Sequence, residues 1–472
     1  MIPNTSSSPS GRLISSDRIT TLAPGEVFVF GSNARGAHGG GAARYAMDHF
    51  GAVHGQGHGL QGQSYAIDTM SGLDAMALDI AQFLTFAAAH PELTFLVTEI
   101  GCGIAGYTPA QVAPHFASAP SNVALPASFA ALTTSTGALT EAQLDRAVGA
   151  VVASAAGDAL GSAYEFGPSL PDDQTPTFGV GVFSHGVGEW TDDTSMAIPI
   201  LEAIARGDSL QDAGVLAQLA SRWWEWSLTA PDVGAQTRAV LAPITTVGTD
   251  AVTEQFMRDQ ARAVHEQSGR SGGNGSLMRT GPVALAYLGE GLEADLAEAA
   301  GRVAQLTHWE DDNVDAVVLW CLAIRHAILT GELDARAGLA WVPDERRTRW
   351  AEIIDVALAP GSHPRDFKGQ NGWVVRAFQA ALSAVNGADD LPDALMRAVR
   401  GGGDTDTVAA IAGSLAGAVW GASQVPEPWK QLVHGWPGYR VDDLARLAST
   451  RAATPPASRR RPARPGVTSP PG

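Results

Sequence analysis

Two textures divide the chain. In the first hundred or so residues, short apolar runs end in glycine loops and then pass into helical spacing. Glu26–Phe30 (EVFVF) leads through a Gly-rich stretch to a helical pattern near Ala42–Phe50. Thr94–Ile100 (TFLVTEI) leads through Gly101–Gly106 to a helical pattern over Pro109–Phe116. Strand, glycine loop and helix, repeated, predict a small α/β unit over 18–117. From about Leu139 the apolar positions recur at helical period over Leu144–Tyr164, Met196–Ala205, Val215–Trp226, Val314–Leu329 and Val408–Trp420, with no convincing strand. This predicts an all-α domain over 139–449. Residues 118–138 are rich in Ala, Ser, Thr and Pro without periodicity and read as a linker. The Ser/Pro-rich lead-in 1–17 and the tail 450–472, which holds Arg459-Arg460-Arg461, read as disordered.

Composition narrows the class. With 472 residues, 45% hydrophobic and 17% charged, the chain can bury more than one core. Its formal net charge of −18 argues against nonspecific binding to nucleic acid or anionic membrane, which Lys and Arg would have to provide. The start MIPNTSSSPSGRL lacks the charged-then-apolar plan of a signal peptide, and no uncharged apolar run reaches membrane-span length. Cys102 and Cys321 give no disulfide framework. A soluble, cytoplasmic protein is expected.

The chemistry concentrates in two acidic motifs, Thr191-Asp192-Asp193-Thr194 and Asp404-Thr405-Asp406-Thr407. Each joins two carboxylates to threonine hydroxyls, the oxygen-only set that a hard cation such as Mg²⁺ or Mn²⁺ prefers. Alone, Asp404 reads as a helix N-cap; Asp406 and Thr407 exceed what a cap requires. Gathering the four carboxylates would be tolerable only with cations to neutralise them. A third segment, Gly157-Asp158-Ala159-Leu160-Gly161-Ser162-Ala163-Tyr164-Glu165-Phe166, sets two carboxylates two turns apart among small residues that allow close helix approach.

GDALGSAYEF, GEWTDDTSMA, GGNGSLMRTGP, LTHW and RGGGDTDTVAAIAGSLAGA, in that order, resemble the ADP-ribosylglycohydrolases, the family that includes the bacterial dinitrogenase-reductase-activating type. The resemblance spans 144 to about 446 and implies an all-α orthogonal bundle with two divalent cations, Mg²⁺ or Mn²⁺, in a central cleft. It implies metal ligands at Thr191, Asp192, Asp193, Asp404, Asp406 and Thr407, with an acidic neighbour at Glu165. It implies ADP-ribose contacts from Asn274, Gly275, Ser276, Leu277 and Met278, with His308 and Gly403 as further candidates, and a mobile-loop aspartate at Asp232. The expected reaction is cleavage of the C1″ glycosidic bond of ADP-ribosyl groups on proteins or small molecules, with Glu165, Asp193 and Asp232 as catalytic candidates. The alternatives are a non-catalytic ADP-ribose reader, or a hydrolase of free ADP-ribose derivatives or nucleosides. Arg279 is expected to pair with a buried carboxylate, the tryptophans Trp223, Trp224 and Trp226 to pack in a core, and Glu310-Asp311-Asp312 to start a helix.

In the first unit, GSNARGAHGGGAA and IGCGIAGYTP each put a Gly-rich turn after a strand, where backbone N–H groups can cradle a diphosphate. The layout resembles macrodomains, which bind ADP-ribose. It implies a ligand loop of Ser32, Asn33, Gly39, Gly40, Gly41, Gly101, Gly103 and Gly106. The Asn-Ala-Ala-Asn run of that family is absent, so binding is expected here rather than hydrolysis. His38, His49, His54 and His58 lack nearby cysteines and are not expected to hold a metal. The chain as a whole is expected to be multidomain, a small α/β unit followed by a helical bundle.

Overall fold

The computed structural model describes residues 4–7, 13–16, 18–117, 119–133 and 139–452. The chain divides into two compact units that meet between Ala138 and Leu139.

In the first unit the run EVFVF alternates its side chains across a sheet. Strand β3 (Glu26–Ser32) sends Val27 and Val29 to one buried face and Phe28 and Phe30 to the other. It is central in a five-stranded sheet of order β4-β5-β3-β6-β7, formed with β4 (Gly59–Gln61), β5 (Ser64–Asp68), β6 (Thr94–Val97) and β7 (Val123–Ala124). All neighbours are parallel except β4 and β5. Helix α1 (Gly41–His49) covers the Phe28/Phe30 face, and α2 (Leu73–Ala89) covers the Val27/Val29 face with Met76, Ile80 and Phe83.

The unit extends beyond 117. Within the expected linker, β7 pairs with β6, Phe129 and Ala130 of α3 (Ala127–Thr133) join the core, and Asn122 donates to the carbonyls of Ala87, His90 and Leu93 (2.9, 2.9 and 3.0 Å). A two-residue strand is too short to show periodicity, which is why composition alone suggested a linker. Within the expected lead-in, β1 (Thr5–Ser7) pairs antiparallel with β2 (Leu13–Ser15), and Ser15 donates through Oγ to the Val97 carbonyl (2.7 Å). The basic tail Arg459-Arg460-Arg461 lies outside the described residues.

The second unit is helical, apart from a two-residue strand pair, His434–Gly435 with Tyr439–Arg440. Its axis is the helix Thr405–Trp420, buried along nearly its whole length against the helix Glu141–Gly161. The contact is backbone to backbone. A methyl on Gly149, Gly157, Gly413 or Gly417 would collide with backbone atoms of the facing helix, and one on Gly161 would lie 2.5 Å from Asp406 Cα. Side chains this small let the axes approach far closer than ordinary ridge packing. Helix Asp311–Thr330 is long and apolar enough to cross a membrane, but 78% of that stretch is buried inside the unit. Trp223 and Trp226 are core residues and Trp224 packs against them from the rim.

Replacing Gly417 by Val should force the two helices apart and cost about 3 kcal/mol or more of stability. Denaturant unfolding of the variant measures this; an unchanged midpoint would contradict the close crossing.

Candidate active site

The helix crossing places the acidic motifs. Thr191-Asp192-Asp193-Thr194 opens the helix Asp192–Ala205, and Asp404 immediately precedes the helix Thr405–Trp420. Neither Thr191 nor Asp404 caps its helix with its side chain. The first motif is instead gripped by Asp158, fully buried on Glu141–Gly161. Its carboxylate accepts from Thr191 N (2.9 Å), Thr191 Oγ1 (2.8 Å), Thr194 N (3.0 Å) and Thr194 Oγ1 (2.6 Å). Four donors satisfy a charge that could not otherwise be buried there.

The second motif arrives on the loop Gly401–Gly403, in which Gly402 and Gly403 have φ of 75° and 77°. This left-handed backbone favours glycine. A side chain at Gly403 would also strike Asn371, whose Oδ1 accepts from Asp404 N (3.2 Å) and whose Nδ2 donates to the Gly402 carbonyl (2.9 Å). Gly403 and Gly167 form an isolated antiparallel bridge, with Gly403 N donating to the Gly167 carbonyl (3.1 Å) and Phe166 N to the Gly403 carbonyl (2.6 Å), and this brings Glu165 to the same place.

The two motifs therefore meet. Thr191 Oγ1 lies 3.1 Å from Asp193 Oδ2 and 3.5 Å from Asp406 Oδ2, a partner 215 positions away, and Thr407 Oγ1 lies 3.4 Å from Asp193 Oδ2. Oxygens of Glu165, Asp404 and Asp406 all lie within 4.8 Å of one another. Among the described residues no Lys or Arg pairs with Glu165, Asp192, Asp193, Asp404 or Asp406. Glu165 Oε2, Asp193 Oδ1 and Asp406 Oδ1 are buried without a hydrogen-bond partner.

The electrostatics follow from this crowding. Burial first, then Asp404, Asp232 and Asp158, push the Glu165 carboxyl up to about 8. Burial, then neighbouring carboxylates, hold Asp192, Asp193 and Asp406 well above the usual range. Burial also raises Asp404, opposed by the hydrogen bond from Asn274 Nδ2 (2.8 Å). Buried carboxyl oxygens without partners, mutual repulsion and adjacent threonine hydroxyls form a donor set that fits a hard divalent cation.

A cleft of about 420 Å³ opens onto this cluster. Glu165, Asp192, Asp232, Asn274, Gly275, Met278, His308, Asp404, Asp406 and Thr407 all line it, so residues from six separate segments converge as expected. Three expectations change. Ser276 is fully buried and accepts from Asn313 Nδ2 (2.7 Å), and Leu277 belongs to the core, so neither side chain reaches the cleft. Asp193 lies behind the cleft wall at 1% exposure, which suits a ligand oxygen and not a proton donor to substrate. Arg279 is buried without a carboxylate partner, over the Trp223 ring at 4.3 Å. Asp158 and Asn371 were missing from the expected set of site residues. Asp158 stood in a noted motif; nothing around Asn371 marked it. A second cavity of about 380 Å³ shares Asp192, Pro231 and Asp232 with the cleft and is walled by Trp190, Trp226 and Trp436.

In the first unit, adjacent parallel strands β3 and β6 put both glycine loops at one edge of the sheet. A Cβ on Gly31 would lie 3.6 Å from Gly101 N. Gly39, Gly40, Gly41, Gly103 and Gly106 have open space where a side chain would be. Ser32 and Asn33 shape the first loop: Ser32 Oγ lies 3.2 Å from His38 Nδ1, and Asn33 Oδ1 accepts from Arg35 N (3.0 Å) and Ala37 N (3.3 Å). The four histidines gather no metal site among the described residues.

The sequence model of one family, described as ADP-ribosylglycohydrolase, matches residues 139–459. The chain is 32% identical to an ADP-ribosylarginine hydrolase Tri1 of Pseudomonas putida (strain GB-1), over 66% of this chain and 80% of that protein. It is 29% identical to the ADP-ribosyl-[dinitrogen reductase] glycohydrolase of Rhodospirillum rubrum (60% and 89%) and 26% identical to human ADP-ribosylhydrolase ARH3 (62% and 90%). Among solved structures, an ADP-ribosylglycohydrolase-related protein complex matches with a TM-score of 0.50 and 26% identity, over 66% of this chain and 99% of that one.

A carboxyl whose pKa is raised by folding stabilises the fold fully below its unfolded value, and that contribution is lost as pH rises through the folded value. For Glu165 this window runs from 4.5 to about 8. With chelator present, the melting temperature should therefore fall between about pH 5 and about pH 8, and added Mg²⁺ should raise it more at the upper end. Cation stabilisation that is equal at both ends, or absent, would contradict the buried carboxylate cluster.

Proposed function

Because the chain belongs to the ADP-ribosylglycohydrolase family, an enzyme family, we propose that its helical unit hydrolyses the C1″ bond between ADP-ribose and an arginine side chain, with divalent cations in the cleft. The observation that carries this reading is the cluster itself: the two acidic motifs meet within hydrogen-bonding distance at the wall of an open cleft, with no Lys or Arg paired to them among the described residues. The ligands proposed are Thr191, Asp192, Asp193, Asp404, Asp406 and Thr407. Bound cations would neutralise this charge, polarise ribose hydroxyls and lower the pKa of a water.

The chain's own groups have separable tasks. Asn274, Gly275, Met278 and His308 form the wall that would hold ADP-ribose, with Gly275 leaving room for it. Asp158 and Asn371 keep the acidic motifs in register. Glu165 faces the cleft with a carboxyl raised to about 8, so it is the group best suited to exchange a proton with the leaving atom. Asp232, from the segment between the helices Ala213–Ser227 and Ala235–Leu241, is placed to stabilise positive charge at the bond that breaks. Overall, water adds to C1″ and the departing nitrogen gains a proton, which yields free ADP-ribose and an unmodified side chain.

Arginine is favoured over other linkages by two things. One is that the Pseudomonas relative is an ADP-ribosylarginine hydrolase. The other is the second cavity, where indole walls meet Asp192, Asp232 and Glu189 with no Lys or Arg in the lining, an environment suited to a planar guanidinium. Replacing Asp404 and Asp406 together by Ala should lower turnover of an ADP-ribosylated arginine peptide by at least about 10³-fold without lowering the melting temperature. Chelator should lower the turnover of the unmodified enzyme by a similar factor. Undiminished turnover by the double variant would remove the mechanism.

For the first unit we propose ADP-ribose binding at the paired glycine loops. Calorimetry on the full chain with Mg²⁺ should then show two ADP-ribose sites, and Gly40→Asp, which sets a carboxylate into open space beside the loop, should leave one. A single site insensitive to Gly40→Asp would end this part of the reading.

A further inference from the structure

Arg279 and the Thr307-His308 pair come from two of the motifs that carry the family resemblance, yet the chemistry above uses only the imidazole. Arg279 is fully buried, and no carboxylate neutralises it. Its guanidinium donates to the carbonyls of Gly275 (3.1 Å) and Val303 (3.4 Å) and to Thr307 Oγ1 (2.6 Å). Burial lowers its pKa only to about 9, so it remains charged at neutral pH and can only donate. Thr307, also fully buried, therefore accepts from Arg279 and has one hydroxyl proton left to place. Its other hydrogen-bond partner is His308 Nδ1, at 2.8 Å.

This fixes the direction of the chain of bonds. If His308 carried its proton on Nδ1, that N–H would point at Thr307 Oγ1, and the threonine hydroxyl would be stranded in a dry interior. Such a stranded donor costs about 1–3 kcal/mol. With the proton on Nε2, the Thr307 hydroxyl and His308 Nδ1 are both satisfied: Arg279 donates to Thr307, Thr307 donates to His308 Nδ1, and Nε2–H remains available, which leaves Arg279 Nε as the one buried group of the three residues without a partner. Nε2 faces Gly273 and Gly275, which line the cleft together with His308: a Cβ on Gly273 would lie 3.5 Å from it and one on Gly275 3.3 Å. Burial and the nearby Arg279 charge hold the imidazole well below its usual range, so it does not gain a second proton at neutral pH.

We propose that Arg279 and Thr307 are positioning residues that lock His308 as a neutral Nε2–H tautomer, and that this N–H donates to a phosphate or hydroxyl oxygen of the ligand in the cleft. The ligand half of this statement rests on the reading of the cleft as the ADP-ribose site; the tautomer half does not. A cleft donor that is neutral can reward an oxygen acceptor without adding to the charge that cations already supply. The arrangement also explains why an uncompensated arginine is kept in the core: only a group that never accepts a hydrogen bond can orient the threonine from behind.

The test uses the full chain with Mg²⁺ and ¹⁵N-labelled histidine, with the His308 signal assigned by its loss in His308→Gln. Two-bond ¹H–¹⁵N spectra should show His308 Nδ1 unprotonated and Nε2 protonated. Thr307→Val should mix the tautomers and weaken ADP-ribose binding about tenfold, the size of one lost neutral hydrogen bond, and Thr307→Ser should restore both. A merely structural role for Thr307 would leave the tautomer unchanged in Thr307→Val. A protonated Nδ1 in the unmodified protein, or an unaltered tautomer in Thr307→Val, would overturn the proposal. If the tautomer behaves as expected and ADP-ribose binds equally to all variants, the locking stands and the assignment of the ligand contact fails.

Discussion

Carboxylates forced together in a dry cleft set the terms for the second unit. Two unit charges about 4 Å apart repel by about 4 kcal/mol at the effective dielectric of a protein surface, and several such pairs meet here. The fold does not answer with lysines or arginines. It answers with backbone and hydroxyl donors where a carboxylate must stay charged, as at Asp158, and leaves the remaining oxygens of Glu165, Asp193 and Asp406 unpartnered. Both helices that carry the motifs also begin at the cluster, with Asp192, Asp193 and Asp406 in their first turns. The positive end of each helix dipole eases the burden by about 0.3–1 kcal/mol per carboxylate. The site is thereby made to tolerate negative charge without cancelling it.

That tolerance depends on rigidity supplied elsewhere. The glycine-mediated crossing of Glu141–Gly161 and Thr405–Trp420 carries Asp158 on one helix and Asp406 on the other, so the support of the first motif and the second motif are set by one backbone contact. Asn371 does the equivalent for the loop that ends at Asp404, and Asn313 for the loop that carries Asn274 and Gly275. None of these three supports reacts with anything; each removes a freedom that the reacting groups would otherwise have.

Much of this was legible in the sequence because the acidic motifs are contiguous. Thr191–Thr194 and Asp404–Thr407 each gather carboxylates and hydroxyls within four residues, and the glycines at 157 and 161 announce close packing on the same helix as Asp158. What was not legible depends on distant partners. Asn371 acts through two backbone groups on another segment, so nothing around it in sequence marks its role. Leu277 and Ser276 lie inside a motif whose other members line the cleft, but a short helical turn rotates them into the core. In the first unit, β7 is two residues long and Asn122 works through one carbonyl at the end of α2 and two in the turn that follows it, so a composition that reads as a linker closes the sheet. Arg279 was expected beside a carboxylate because charge pairing is the commoner answer to burial; here an indole face and three acceptors, the carbonyls of Gly275 and Val303 and Thr307 Oγ1, take that place.

The backbone-to-backbone crossing has a consequence for how this protein should fail. A surface-mounted metal site can be lost while the body of a protein stays intact, since loops fray before cores do. Here the acidic motifs open the helices Asp192–Ala205 and Thr405–Trp420, the second interlocked with Glu141–Gly161 and the first gripped by Asp158 of that same helix, so there is no peripheral layer to shed first. Heat inactivation and global melting should be one event, and any loosening that parts the acidic motifs must already have opened the heart of the bundle.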